Sequence, residues 1–167
     1  MLQHAIGASQ RIMMNLRPPI LDQGLVAAVQ WLASSFERRT GVPTVVHTSI
    51  VVDLPAEVQL VAYRTAQEAL TNIRQHAMAR QVKLILQVGA GQLELVIEDD
   101  GVGFPTGWVR GRHHGLAGMK HRVQMCAGDF TITSKPGQGT RIVVHIPLPA
   151  AQPEAAITDQ PGAASRT

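Results

Sequence analysis

Apolar positions recur along this chain in two periods, and each change of period marks a change of element. Leu2, Ile6, Ile12, Met13 and Leu16 stand at roughly helical spacing until LRPPILD, where Pro18 and Pro19 break the helix. A second helical pattern starts at Gly24, runs through Leu25, Val29, Leu32 and Phe36 to Arg38 and Arg39, and is closed by Gly41 and Pro43. Basic residues in that last turn suit the helix dipole. Thr44 to Val52 is rich in β-branched residues and reads as a strand. Asp53-Leu54-Pro55 reads as a helix start with Asp53 as N-cap, and the helix is predicted to run to about Ala77. At helical spacing Ala62, Ala66, Ala69, Leu70, Ile73 and Ala77 share one arc, with Glu68, Asn72 and His76 as a polar stripe beside it.

The period then drops to two. Val82, Leu84, Leu86 and Val88 stand at every second position, as do Leu93, Leu95 and Ile97, and later Ile142, Val144 and Ile146, so each strand is expected to bury one face more completely than the other. Gly89 and Gly91 mark a hairpin turn, Phe130 to Ser134 a further strand, and PGQG another turn. A helix is predicted from about Leu116 to Ala127. This order of elements fits helices packed on one face of a mixed sheet, a two-layer α/β (α+β) sandwich. After Pro149 the chain lacks large apolar residues, and residues 150–167 are expected to form a disordered tail.

Composition narrows the function classes. At 167 residues the chain holds one well-packed domain plus a short accessory element, and its single cysteine, Cys126, rules out an internal disulfide. Cys126 reads as a helix-packing residue. There is no apolar run near the length of a membrane span and no signal-peptide pattern, so these residues are expected in the cytoplasm. The net charge of +3 comes from scattered basic residues with few aromatics, which argues against a nucleic-acid surface.

Four stretches carry candidate chemistry. In the helix stripe, Glu68 and Asn72 lie one turn apart and could hold hydrated magnesium through hard oxygen atoms, although for this stripe alone a solvated helix edge is the simpler reading of EALTN. EDDGVGF, residues 98–104, ends a strand: a carboxylate there can accept from an exocyclic amine, and Gly101 and Gly103 let the backbone approach a flat ring. A plain Asp-Gly turn is the simpler reading of that stretch alone, and the spacing excludes an EF-hand calcium loop. HHGLAGMKHRV, residues 113–123, feeds glycines into a helix, an arrangement that suits phosphate oxygens but also an ordinary helix start. PGQGTRI, residues 136–142, is a glycine turn followed by a hydroxyl, Thr140, and by itself is a hairpin.

The order of the four stretches resembles the Bergerat-type ATP-binding fold shared by sensor histidine kinases, type II topoisomerases, heat-shock chaperones and mismatch-repair ATPases. YRTAQEALTNIRQHAMA is similar to the N box, EDDGVGF to the first glycine box, HHGLAGMKHRV to the second and GQGT to the closing motif, in the form used by nitrate-sensor and thermosensor-like histidine kinases. LRPPILDQGLVAAVQWLASSFERRTG resembles the segment joining their dimerisation helices to the ATP domain, so the likeness spans about residues 10 to 148.

The resemblance implies three regions: 1–40 as the end of the dimerisation and linker helices, 41–149 as the ATP-binding catalytic domain, and the tail. It implies that Asn72 coordinates Mg2+, with Glu68 polarising a metal-bound water or orienting the ion. Asp99 would accept the adenine amine, with Gly101 and Gly103 shaping that wall. Gly115, Leu116 and Gly118 would frame the phosphate and lid side, His76 would lie near the phosphates, and Thr140 would support the pocket behind the N box. Residues between Phe104 and Gly115 would form a mobile ATP lid. Two departures stand out. Gln75 occupies a position where the family often has lysine, and the chain contains no His-Asp pair of the phosphoacceptor type. The expected function is therefore the Mg-ATP-binding end of a sensor histidine kinase, acting with a dimerisation domain that bears the histidine and with a response regulator, as a homodimer in the full kinase. The expected membrane connection lies only in upstream segments. The alternative is a nucleotide-binding or regulatory module without phosphotransfer, which both departures favour.

Overall fold

The computed structural model describes residues 16–105 and 114–150. The expected helix over 2–16 lies almost wholly outside this range, as do the tail beyond 150 and most of the proposed lid. The chain passes through a 3-10 turn at Pro19–Gln23 into α1 (Leu25–Thr40), β1 (Thr44–Thr48) and α2 (Ala56–Asn72), which continues as a π turn over Ile73–Ala77. Then come β2 (Val82–Gly89), β3 (Gln92–Asp99), α3 (His114–Met125), β4 (Asp129–Ser134) and β5 (Thr140–Pro147).

The five strands form one sheet in the order β1-β2-β3-β5-β4. β1 and β2 pair in parallel, as a crossover through α2 requires, and every other pair is antiparallel. Alternation decides which face meets the helices: Leu84, Leu86, Leu93, Leu95, Val144 and Ile146 are buried with Ala28, Val29, Ala62, Ala66, Met119 and Val123 of the three helices. Residues 19–40, assigned from sequence to the preceding helical segment, contribute Leu21, Leu25, Leu32 and Phe36 to this same core. Cys126, just past α3, packs partly buried against it.

The opposite face carries polar cross-strand pairs. Glu94 on β3 bonds His145 on β5 at 2.8 Å and Gln87 on β2 at 2.6 Å, and the His145 contact holds the Glu94 pKa below its ordinary value. Among the described residues no helix is long and apolar enough to cross a membrane.

Three boundaries differ from the sequence reading. β1 stops at Thr48, because Val51 and Val52 are exposed and face no partner strand. Helix α2 starts at Ala56 with Pro55 in the N-cap position and no side-chain cap, so Asp53 is not the cap. The residue before a proline is pushed out of helical geometry, so Leu54 cannot join the helix, and its carbonyl is taken by Gln59 Nε2 at 2.7 Å. The hairpin turn is centred on Ala90 and Gly91, both at positive φ, rather than on Gly89.

Gly41 ends α1 in the left-handed region, with φ 72°, and its N–H reaches the Glu37 carbonyl at 2.8 Å. Nothing lies within 4 Å of where a Cβ would stand. Gly41→Ala should therefore show backbone strain alone, about 1 kcal/mol lost in denaturant titration, with nucleotide affinity unchanged.

Candidate functional site

A cavity of about 230 Å³ opens between the C-terminal half of α2 and the sheet. Helix α2 supplies Ala69 and Asn72, and the π turn supplies Ile73, His76 and Ala77. Ile97, Ile132 and Ile142 form the apolar floor, with Asp99 and Thr140 at its polar end, Gly103 and Phe104 on the loop side, and Leu116 of α3 above. Such a volume holds a flat bicyclic ring but falls short of the roughly 300–1,000 Å³ of pockets that enclose whole ligands. The rest of a larger ligand must leave by the mouth.

Alternation delivers Asp99 to this end. Ile97 and Asp99 stand on the same face of β3, and Asp99 pairs in register with Thr140 on β5 and Val82 on β2. Burial is the main cause that raises the Asp99 pKa, and the neighbouring Asp100 charge adds to it. The Gly101 amide opposes the rise by donating to Oδ1 at 2.8 Å, and the Thr140 backbone does likewise. A desolvated carboxylate acceptor at the end of an apolar slot is a recognition group for an N–H donor on a planar ligand.

The three acids of EDDGVGF have separate tasks. Glu98 points to the opposite face and pairs with Arg141. Asp100 Oδ1 accepts from the Arg80 and Gln81 amides at 2.8 and 2.9 Å, pinning the loop between the π turn and β2, and these bonds lower its pKa. Only Asp99 faces the cavity.

The glycines act through close approach. A Cβ on Gly101 would overlap the Ala77 carbonyl, and one on Gly103, at φ 60°, would overlap the Lys135 carbonyl. Between them Val102 N–H donates to Ala77 O at 2.7 Å, and Val102 O accepts from Gly137 N–H at 2.6 Å. The loop is thus held between the π turn and the β4–β5 turn.

Of the residues singled out in the sequence, Asn72, His76, Asp99, Gly103, Leu116 and Thr140 meet at the cavity wall. Gly101 stands behind it. Glu68 and Gly115 lie beside it at the α2–α3 seam, where a Cβ on Gly115 would strike Glu68 Oε1; Gly118 stands further along α3, where a Cβ would come within 3.3 Å of the Arg122 guanidinium on the same helix. Burial lowers the Arg122 pKa, against the attraction of Glu68. Sequence reasoning missed the floor isoleucines, Phe104, Ser134 and Gly139. The alternation of β3, β4 and β5 carried the isoleucine signal, but using it required the strand order.

For magnesium, the donor set offers the Asn72 amide oxygen. Among the described residues no cluster of three His, Cys, Asp or Glu side chains could hold a metal. That chemistry fits an ion that keeps several waters and is bound mainly through ligand phosphates.

Residues 57–150, more than half of the chain, match the family of histidine kinase-, DNA gyrase B- and HSP90-like ATPases. The chain belongs to this family. The chain is 33% identical over 150 residues to the signal transduction histidine-protein kinase/phosphatase DegS of Brevibacillus brevis, covering 89% of this chain and 39% of that protein. It is 34% identical over 157 residues to the sensor histidine kinase MctS of Rhizobium johnstonii, covering 91% and 34%. The histidine kinase domain of the blue-light activated histidine kinase of Erythrobacter litoralis superposes with a TM-score of 0.62 at 29% identity, covering 72% of this chain and 61% of that one. The chain thus carries the ATP-binding catalytic domain found in sensor histidine kinases, and it spans well under half the length of these curated relatives.

Proposed function

We propose that this domain binds Mg-ATP and presents its γ-phosphate to a histidine on a dimerisation domain, from which a response-regulator aspartate takes the phosphoryl group. The observation that carries the reading is the convergence of Asn72, His76, Asp99, Gly103, Leu116 and Thr140 on one cavity from four separate stretches of the chain. Its relatives are named as signal-transducing histidine kinases, which supports a regulator as partner and a dimeric full-length protein.

Adenine would lie on the isoleucine floor with its amino group toward Asp99. The ribose and phosphates would leave by the mouth, past Asn72 and His76 and toward the start of α3. Bound there, Mg2+ would neutralise phosphate charge, with Asn72 as its protein ligand. The backbone N–H groups at the start of α3 favour negative charge in the same direction. Phosphoryl transfer asks little covalent chemistry of a protein, so positioning and charge neutralisation would supply most of the acceleration. Glu68, turned into the α2–α3 seam, would act by holding α3 against α2 and by orienting groups around the ion, rather than from the cavity wall.

The test is an ATP titration with and without Mg2+, followed by incubation with a separate polypeptide that carries the dimerisation helices and their histidine. Phosphohistidine on that polypeptide is the expected product. Tight ATP binding without any phosphohistidine would reduce the domain to a nucleotide-binding module.

A pH dependence follows from Asp99. Protonation puts a hydrogen where an acceptor is needed, so ATP affinity should fall as pH drops through the raised Asp99 pKa. Binding in that window should release a proton. Calorimetry in buffers of different ionisation enthalpy reads both effects. An identical pH step in Asp99→Asn would assign the titration elsewhere, for instance to the adenine ring.

A further inference from the structure

Ser134 ends β4, stands opposite Thr140 in the ladder, and is 4% exposed. The Phe104 N–H donates to its Oγ at 2.9 Å. The same Oγ lies 3.0 Å from the Gly139 carbonyl oxygen and 2.8 Å from Thr140 Oγ1. A hydroxyl has one hydrogen and two lone pairs, and these contacts can be assigned by counting. An amide can only donate, so Phe104 takes one lone pair. A carbonyl can only accept, so Gly139 takes the hydrogen. One lone pair remains, and the contact with Thr140 becomes a hydrogen bond only when Thr140 supplies the hydrogen. Thr140 is then left with lone pairs alone, at the cavity wall beside its ladder partner Asp99.

We propose that Ser134 is a specificity-determining residue: by taking the only hydroxyl hydrogen of Thr140 it makes Thr140 an acceptor-only group, so that this end of the cavity favours a purine edge bearing an amino group over one bearing an oxo group. The inference rests on the adenine reading given above. A carboxylate already rejects an oxo group, but a freely turning threonine beside it would donate to that group and offset part of the rejection. The buried serine removes that escape. Its position also explains why a small polar side chain follows Phe130 and Ile132 on the same face of β4. Phe104, the β4–β5 turn and Thr140 all meet at its oxygen.

The test measures Kd for ATP and for GTP with the full chain, in the wild type, Ser134→Ala, Thr140→Val and the double variant. Wild type should prefer ATP. Ser134→Ala should lower the ATP-over-GTP ratio by about tenfold, the scale of one buried hydrogen bond. In the Thr140→Val background the same change should leave the ratio within about twofold, because the group through which Ser134 acts is gone. A serine that merely supports the fold would weaken both nucleotides by one factor, and that result overturns the proposal. So does an equal loss of selectivity in both backgrounds. Should Ser134→Ala not fold, Ser134→Cys keeps a small side chain with a weaker acceptor; a lowered ratio supports the proposal and an unchanged one overturns it. Asp99→Asn separates the two levels of the argument. If it retains ATP affinity, the adenine reading itself fails; if it loses affinity while Ser134→Ala keeps the wild-type ratio, only the role of Ser134 fails.

Discussion

Replacing Asp99 with asparagine is expected to weaken ATP binding roughly 100-fold while leaving the empty domain at least as stable as the wild type near neutral pH. An isosteric amide could in principle turn its oxygen toward the ligand. Here it cannot do so without cost, because Gly101 N–H already donates to Oδ1 at 2.8 Å and the Thr140 backbone donates as well. Either orientation of asparagine sets its NH2 against another donor, the protein's or the ligand's. Stability moves the other way. The folded domain raises the Asp99 pKa above its ordinary value of 3.8, so the native state holds this proton more firmly than the unfolded chain does. The contribution of Asp99 to stability is therefore complete at low pH and falls as pH rises through the raised pKa. Asparagine never ionises and escapes that loss. Calorimetric Kd values and denaturant midpoints at several pH values check both halves, and unchanged ATP affinity would refute the pocket assignment.

Gly139→Ala should be the more damaging to the fold. Its φ is 72°, and a Cβ there would drive into the Asp99 carbonyl and against Asp100 Cα. Backbone strain and overpacking each cost about 1–3 kcal/mol, so a loss of about 3 kcal/mol is expected, read as a drop in Tm of about 10 °C. Gly137 provides the control within the same turn. Its φ is 76°, yet nothing lies within 4 Å of its missing Cβ, so alanine there carries strain without collision. A ΔTm for Gly137→Ala as large as that for Gly139→Ala would show that conformation, rather than contact with the Asp99 strand end, governs position 139.

Much of this was legible before any coordinates. Period-two alternation located β2, β3 and β5, and the helical arc of α2 separated Ala62, Ala66 and Ala69 from the stripe bearing Asn72 and His76, because burial of one face acts over every residue of an element. What escaped depends on pairing between distant segments. The resemblance singled out Asp99 in the EDD triplet but left Glu98 and Asp100 without a task, because their partners come from elsewhere in the chain: β5 brings Arg141 to Glu98, and the post-helical loop brings the Arg80 and Gln81 amides to Asp100. Ser134 gave no signal of its own, since its importance exists only in register with Thr140. Nor does local propensity distinguish the π turn at Ile73–Ala77 from one more turn of α-helix. Glu68 and Asn72 share a stripe, but the packing of α3 divides them: the carboxylate goes to the seam with Gly115 and the amide to the cavity.

The Val102 peptide has one more consequence. Its side chain is 47% exposed, yet its N–H and C=O splice together segments far apart in the chain, at Ala77 and Gly137. Position 102 can accept many different side chains, because the work there is done by atoms that every residue except proline possesses. Its neighbours Gly101 and Gly103 bear the whole constraint in its place. The letter in the middle of the motif is therefore nearly free to drift, while the peptide beneath it holds the pocket's loop in place.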